Sequence, residues 1–353
     1  MTAEQIAAAR EAVLQAEVAG DAARQAQAHL SLAPLLTAAG AVVEAAEEYE
    51  QAARCLERIG QVALRAQALA NAGVLFSQAR QPREGMLLSR QASQLFDGLG
   101  DDAAQSRVEG NIAVMHRDLG ELELALTAAQ RAEEVAGPAP EPLAMATLVG
   151  LQAELAADLG RRELACERAA AAVCLARRTD EPRLVGKQLE LQAEVLLRCS
   201  GPREALPVCF EVFGHFRRLG DEAAVFRATV RLALVYQLLG RWPDALGALS
   251  DARGLAGRLG YTDELPRLQA GVAATHVALG RFDQAAAEAE AAVAAYRAVG
   301  DPAGLGRSLV TLGQCVEAAG DVDQARALWL EARTLLDGTD ADGAEAVAQL
   351  LAG

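Results

Sequence analysis

Glycine stands at residues 20, 40, 60, 100, 120, 160, 220, 240, 260, 280, 300 and 320, which is 12 of the 17 multiples of twenty in a chain where only 31 of 353 residues are glycine. Random placement at that frequency would give about one or two such coincidences. Pro140, Asp180, Ser200 and Asp340 occupy other multiples and also suit turns, and Arg80 is followed closely by Pro82. Between these marks lie stretches of about 17 residues whose apolar positions recur at three and four, as in Leu232, Ala233, Tyr236 and Leu239. That spacing predicts a helix with one apolar stripe, and a glycine just beyond it is the favoured left-handed stop. Each helix would be about 25 Å long at ~1.5 Å per residue. No strands are evident, so the class is all-α.

Two helices per forty residues make an internal repeat, and alignment at that period tests it. One first-helix column holds Ala33, Gly73, Ala113, Ala153, Ala193, Ala233, Ala273 and Gly313. Two second-helix columns run Ala45, Gly85, Ala125, Ala165, Ala205, Ala245, Ala285, Ala325 and Ala52, Ala92, Ala132, Ala172, Val212, Ala252, Ala292, Ala332. Alanine and glycine together are about 31% of the chain, which would fill seven or eight of these 24 places; only Val212 departs. Such columns mark places where helix backbones approach closely. The apolar content is 52% with only 4% aromatic, in keeping with close packing by small side chains.

The stretch Leu232, Ala233, Tyr236, Gly240, Trp242, Ala245, Leu249, Ala252 resembles the tetratricopeptide repeat pattern of large, small, aromatic, turn glycine, aromatic and alanine, and Leu312, Gly313, Gly320, Ala325, Trp329 and Ala332 match it again. The period of forty exceeds the usual ~34, and the proline that often closes each repeat is absent. The chain is thus similar to the long-repeat branch that includes kinesin light chains, spindle-orientation adaptors and bacterial sensor domains. Residues 141–220 match least well, with Arg162 and Pro202 where an aromatic is usual. The resemblance implies a right-handed α-solenoid superhelix of eight antiparallel helix pairs. Its eight repeats would span residues 21–340, between an N-terminal capping helix in 1–20 and a C-terminal one in 341–353.

Local signals refine this outline. Thr2 with Gln5 reads as a capping box opening a helix over 3–18, and GAEAVAQLLA after Asp340 is long enough to cover the last apolar face. Pro34 falls inside the first full repeat, where an interior proline costs about 3 kcal/mol, so a kink or broken helix is expected. GPAPEP at 137–142 is the one proline-dense stretch; the period runs through it without insertion, which favours a stiff turn over a hinge.

Chemistry is sparse. A phosphate-binding GxxxxGK would need glycine where Glu181 stands before Gly186 and Lys187, and no GxGxxG opens a helix after a strand. His116 and His276 take the slot of Tyr236 and read as packed rings; His29 and His215 have no partner at metal spacing. Cys55, Cys166, Cys174, Cys199, Cys209 and Cys315 form no CxxC pair and read as reduced core thiols. Glutamate clusters such as EAAEEYE read as solvated helix faces. These patterns imply no catalytic residues, no metal and no cofactor, hence a protein that is not an enzyme. With a net charge of −15, nucleic acid is excluded as a partner. No apolar run spans a bilayer and no leader precedes the first helix, so the expectation is a cytoplasmic protein without membrane contact.

Once the packing stripe is assigned to positions such as Thr229, Leu232, Ala233 and Tyr236, the neighbouring stripe of each first helix is left to face the groove. One column of that stripe runs Gln27, Gln67, Arg107, Thr147, Lys187, Arg227, Arg267, Arg307, basic at five of eight places in an acidic chain. Arg117 and Arg231 project nearby, Asn71 and Asn111 occupy adjacent repeats, and Gly110 and Gly150 leave room beside them. Arginine offers forked donors to carboxylates and asparagine satisfies both groups of a peptide bond. By resemblance to long-repeat adaptors, Gln67, Asn71, Arg107, Asn111, Lys187, Arg227, Arg231, Arg267 and Arg307 are the candidate peptide-binding residues. Glu154, Glu190 and Glu194 interrupt the ladder. The partner expected is a protein or peptide with an acidic segment or a C-terminal carboxylate. The alternative is a sensor that binds a small molecule or signal peptide and acts on a separate effector, as in bacterial regulators. The chain itself would be a monomer or associate weakly through an end face.

Overall fold

The computed structural model describes residues 3–137 and 140–352, so Thr2 of the expected capping box, and Pro138 and Ala139 of the proline-dense turn, lie outside the described residues. Among the described residues there are eighteen α-helices, one short 3-10 turn and no strand. The chain divides into two compact units, residues 1–199 and 200–353.

The first unit runs α1 (Ala3–Ala19), α2 (Ala22–Ala38), α3 (Val42–Arg58), α4 (Val62–Gln78), α5 (Pro82–Leu99), α6 (Asp102–Asp118), α7 (Leu122–Glu134), α8 (Pro142–Asp158), α9 (Arg162–Ala176) and α10 (Pro182–Cys199). The second unit continues α11 (Pro202–Leu219), α12 (Glu222–Leu238), α13 (Trp242–Leu259), α14 (Leu265–Ala278), α15 (Phe282–Val299), α16 (Pro302–Ala318), α17 (Val322–Leu336) and α18 (Ala341–Ala352). Within each unit the extensive helix contacts join elements one or two places apart in the chain. The twelve glycines at multiples of twenty all adopt positive φ, and Arg80 does so at 64° in the place glycine would fill. The punctuation is thus a left-handed stop repeated down the chain.

The small-residue columns are the helix contacts. Ala33, Ala45, Ala52, Ala113, Ala125 and Ala132 are fully buried in the first unit, as are Ala245, Ala252, Ala285, Ala292, Ala325 and Ala332 in the second. Gly73 on α4 and Gly85 on α5 face each other so closely that a methyl group on Gly73 would meet the Gly85 carbonyl at 2.8 Å, and one on Gly85 would run into the Gly73 carbonyl. The exception in the columns, Val212, is also buried.

One local expectation, a helix broken at Pro34, needs correction. α2 runs through Pro34 without a break. Its ring is exposed while Leu32, Ala33 and Leu36 are buried, so packing on the other side holds the helix. Pro207 sits inside α11 in the same way. The seventh first helix starts late: a 3-10 turn over Thr262–Glu264 precedes α14, whose second residue is Pro266. Pro266 has no N–H to give the Thr262 carbonyl, which instead accepts the Leu265 N–H three residues on, and that accounts for the tighter turn there.

Candidate functional site

In the first unit, residues of α6, α8 and α10 line a hollow of about 720 Å³. Its floor is apolar, with Val114, Met145, Leu148, Leu151, Leu184 and Leu191. Arg107, Asn111, Arg117, Glu154, Lys187 and Gln188 also line it. The period places them there: Arg107, Thr147 and Lys187 share one column and are all exposed. Asn111 lies one turn beyond Arg107 and is half-buried.

Among the described residues, Arg107, Asn111 and Lys187 make no side-chain hydrogen bond or ion pair, whereas Arg117 reaches Glu154 at 3.5 Å. Burial holds the Glu154 carboxyl above the usual carboxylate range; Arg117 opposes this, and Glu194 and Asp158 add to it. Gln188 is 7% exposed and its Oε1 has no hydrogen-bond partner. Its amide lies against Gly150, where an added methyl would approach Gln188 Nε2 to 3.1 Å. The room foreseen beside Asn111 is therefore taken up in part by Gln188, leaving one buried acceptor unsatisfied.

The other candidate residues have different surroundings. Gln67 Nε2 donates to Asn71 Oδ1 at 3.0 Å, so both are already engaged. In the second unit, Arg227 and Arg231 stand one turn apart on α12, the former exposed and the latter half-buried. Arg267 pairs with Glu264 at 2.6 Å. Arg307 pairs with Asp340 at 2.8 Å, whose other oxygen accepts the Gly343 N–H at 3.1 Å at the start of α18. That N–H, and after it Arg307, hold the Asp340 carboxyl below its ordinary range. Arg267 and Arg307 thus satisfy neighbouring carboxylates, as arginines on an acidic helix face commonly do.

Gln188 was missed by sequence reasoning, although its column otherwise reads Ala28, Ala68, Val108, Leu148, Ala228, Leu268 and Ser308. A glutamine in so apolar a column is the signal. The histidine readings sharpen too. His116 is buried as expected, but its Nδ1 lies 2.6 Å from Glu121, and His29 is buried with Nδ1 2.5 Å from Glu48 of the next helix. His276, in the same slot as His116, has Arg281 where His116 has Glu121, and burial followed by that guanidinium lowers its pKa. Tyr236 carries Arg241 4.7 Å over its ring at the corresponding place. None of the six cysteines is in a disulfide. Among the described residues no cluster of three His, Cys, Asp or Glu could hold a metal ion, and no helix is long and apolar enough to cross a membrane.

No family model matches the sequence, and no curated protein matches it. Solved structures do. A signal transduction ATPase with numerous domains, with a tetratricopeptide repeat sensor, from Pyrococcus horikoshii is similar at 14% identity and TM-score 0.62 over 93% of this chain and 48% of that one. A tetratricopeptide repeat protein from Parabacteroides merdae is similar at 14% identity and TM-score 0.56 over 82% of this chain and 99% of that one. Aspartyl phosphate phosphatase F from Bacillus subtilis follows at 13% identity and TM-score 0.55, over 82% and 75%. With its helix pairs and glycine stops, the chain has the all-α solenoid fold of tetratricopeptide repeat proteins.

Proposed function

We propose that the chain is a non-enzymatic scaffold that holds an acidic segment, or the C-terminal carboxylate, of a partner protein on its first-helix faces, with the hollow of α6, α8 and α10 as the principal seat. The observation that carries this reading is the pair Arg107 and Lys187. Both are exposed cations without a partner among the described residues, over an apolar floor, in a chain of net charge −15. Carboxylates of the partner would meet the two cations, Asn111 would bond its peptide groups, and Gln188 Oε1 would accept an N–H. Gln67 and Asn71 would extend the seat within the first unit, and Arg227, Arg231, Arg267 and Arg307 would serve in the second. There, Arg267 and Arg307 would exchange Glu264 and Asp340 for the partner. Affinity capture from the native cell extract at low and high salt tests the reading. Salt should release one or a few proteins with acidic segments, and capture should be lost with the Arg107→Glu/Lys187→Glu double variant. Equal capture by that variant would overturn it.

Glu154 gives the seat a pH dependence. Its carboxyl binds a proton more readily than an ordinary glutamate, so lowering the pH removes a negative charge from the hollow that the two cations line. On going from pH 7 to about 5.5, Glu154 takes up more of a proton than an ordinary carboxylate ligand does, so affinity should rise. Glu154→Gln should bind tightly at pH 7 and lose the dependence. Titrating a fluorescent Asp/Glu-rich peptide by anisotropy at both pH values reads this directly.

A second reading is a sensor. The hollow, at about 720 Å³, falls in the range of small-molecule pockets, roughly 300–1,000 Å³. A metabolite screen by thermal shift discriminates, because a single tight ligand at a hundredfold excess over its Kd stabilises by about 2.7 kcal/mol. A large Tm rise with one compound favours the sensor.

A further inference from the structure

Two cysteines occupy places that aliphatic side chains hold in the adjoining repeats. The second-helix position of Cys166 is Leu126 in the repeat before and Leu206 in the one after, and the first-helix position of Cys199 is Leu159 forty residues before it and Leu239 forty after. Leu126 and Leu159 belong to one apolar cluster. One repeat on, both members of the pair change to cysteine together, and Cys166 of α9 and Cys199 of α10 pack side by side against Ala165, Ala169 and Val195. The two thiols adjoin each other on that cluster, and Arg162 and Arg198 act on Cys199. Neither cysteine is fully buried, whereas Cys55, Cys209 and Cys315 are, and Cys174 is exposed.

We propose that Cys166 and Cys199 form an oxidation site for hydroperoxides, closing reversibly into a disulfide that ties α9 to the end of α10. The Cys199 thiolate attacks one peroxide oxygen and the O–O bond breaks, leaving Cys199 as a sulfenic acid. The departing oxygen takes a proton and leaves as water or an alcohol. Cys166 sulfur then attacks the Cys199 sulfur, the S–O bond breaks, and the hydroxide released carries off the Cys166 proton as water. Two thiols and one hydroperoxide give one disulfide, and the two electrons lost by sulfur reduce the peroxide. Burial and the adjacent thiol raise the Cys199 pKa while the two arginines lower it, so the thiolate is the minor form at neutral pH and the step accelerates in mild alkali.

The full chain, reduced and treated with a small molar excess of hydrogen peroxide, should lose the mass of two hydrogens and two alkylatable thiols. Peptide mapping should find a link between the Cys166 and Cys199 peptides that dithiothreitol removes, formed several-fold faster at pH 8.5 than at pH 7. The linked chain should melt several degrees higher. Cys166→Ala should leave Cys199 as a sulfenic acid that a dimedone-type reagent traps. The wild-type peptide map decides the matter even if that variant folds poorly. Links through Cys174 or between chains, or all six thiols remaining alkylatable, would overturn the proposal. So would a Tm unmoved by the formed link.

Discussion

Reversing two charges, Arg107→Glu with Lys187→Glu, is expected to weaken binding of an Asp/Glu-rich peptide about a hundredfold while leaving helix content and Tm close to those of the wild type. Each cation at a solvated rim is worth roughly 0.2–1 kcal/mol to a facing carboxylate, and reversal replaces that attraction by a comparable repulsion. Two such changes together approach the ~2.8 kcal/mol of a hundredfold change in Kd. Stability should hold because neither side chain has a partner among the described residues whose loss would be felt. Most of the deficit should lie in the association rate and shrink as salt rises, since the charges act before contact. The same exchange at Arg267 and Arg307 should do less to the peptide and more to stability, because there the carboxylates of Glu264 and Asp340 would be left facing a second negative charge.

Glycine to alanine should have opposite signs at two helical positions. Gly85→Ala places a methyl group against the Gly73 carbonyl across α4 and α5, both helix backbones, so neither side can yield without shifting a helix. Overpacking of this kind costs about 1–3 kcal/mol, which outweighs the up to ~1 kcal/mol that alanine gains over glycine in a helix. Gly247→Ala in α13 meets nothing within 4 Å. Only the propensity gain remains there, and a stabilisation of about 0.5–1 kcal/mol is expected. Urea titration followed by circular dichroism measures both. A stabilised Gly85→Ala chain would mean that α4 and α5 do not approach as closely as described.

The contrast shows what the sequence reveals and what it conceals. Helix ends were legible because a left-handed residue after each helix is a local requirement, met by glycine at Gly20, Gly240 and their equivalents. Close approach was legible because a period of forty stacks like positions into columns, where Gly73 and Gly85 stand with Ala33 and Ala45. The continuity of α2 through Pro34 was not, since it depends on which side of the helix is held by neighbours. The site was half legible. The period put Arg107, Asn111 and Lys187 on one face, and the structure gathers them on one hollow. Whether an arginine on that face is free or satisfied turns on a carboxylate a few ångströms away, as with Arg307 and Asp340, and no spacing rule encodes it. The role of Gln188 likewise needed the position of Gly150 on another helix.

Within each unit, the extensive contacts among the described residues join helices one or two places apart, and this has a kinetic consequence. No distant segments must find each other before stable structure forms, so the entropy of closing long loops is small and folding should be fast for a chain of this size. The same locality lets terminal helices such as α1 or α18 open while interior ones stay closed, so amide exchange should grade inward from each end rather than follow a single all-or-none transition.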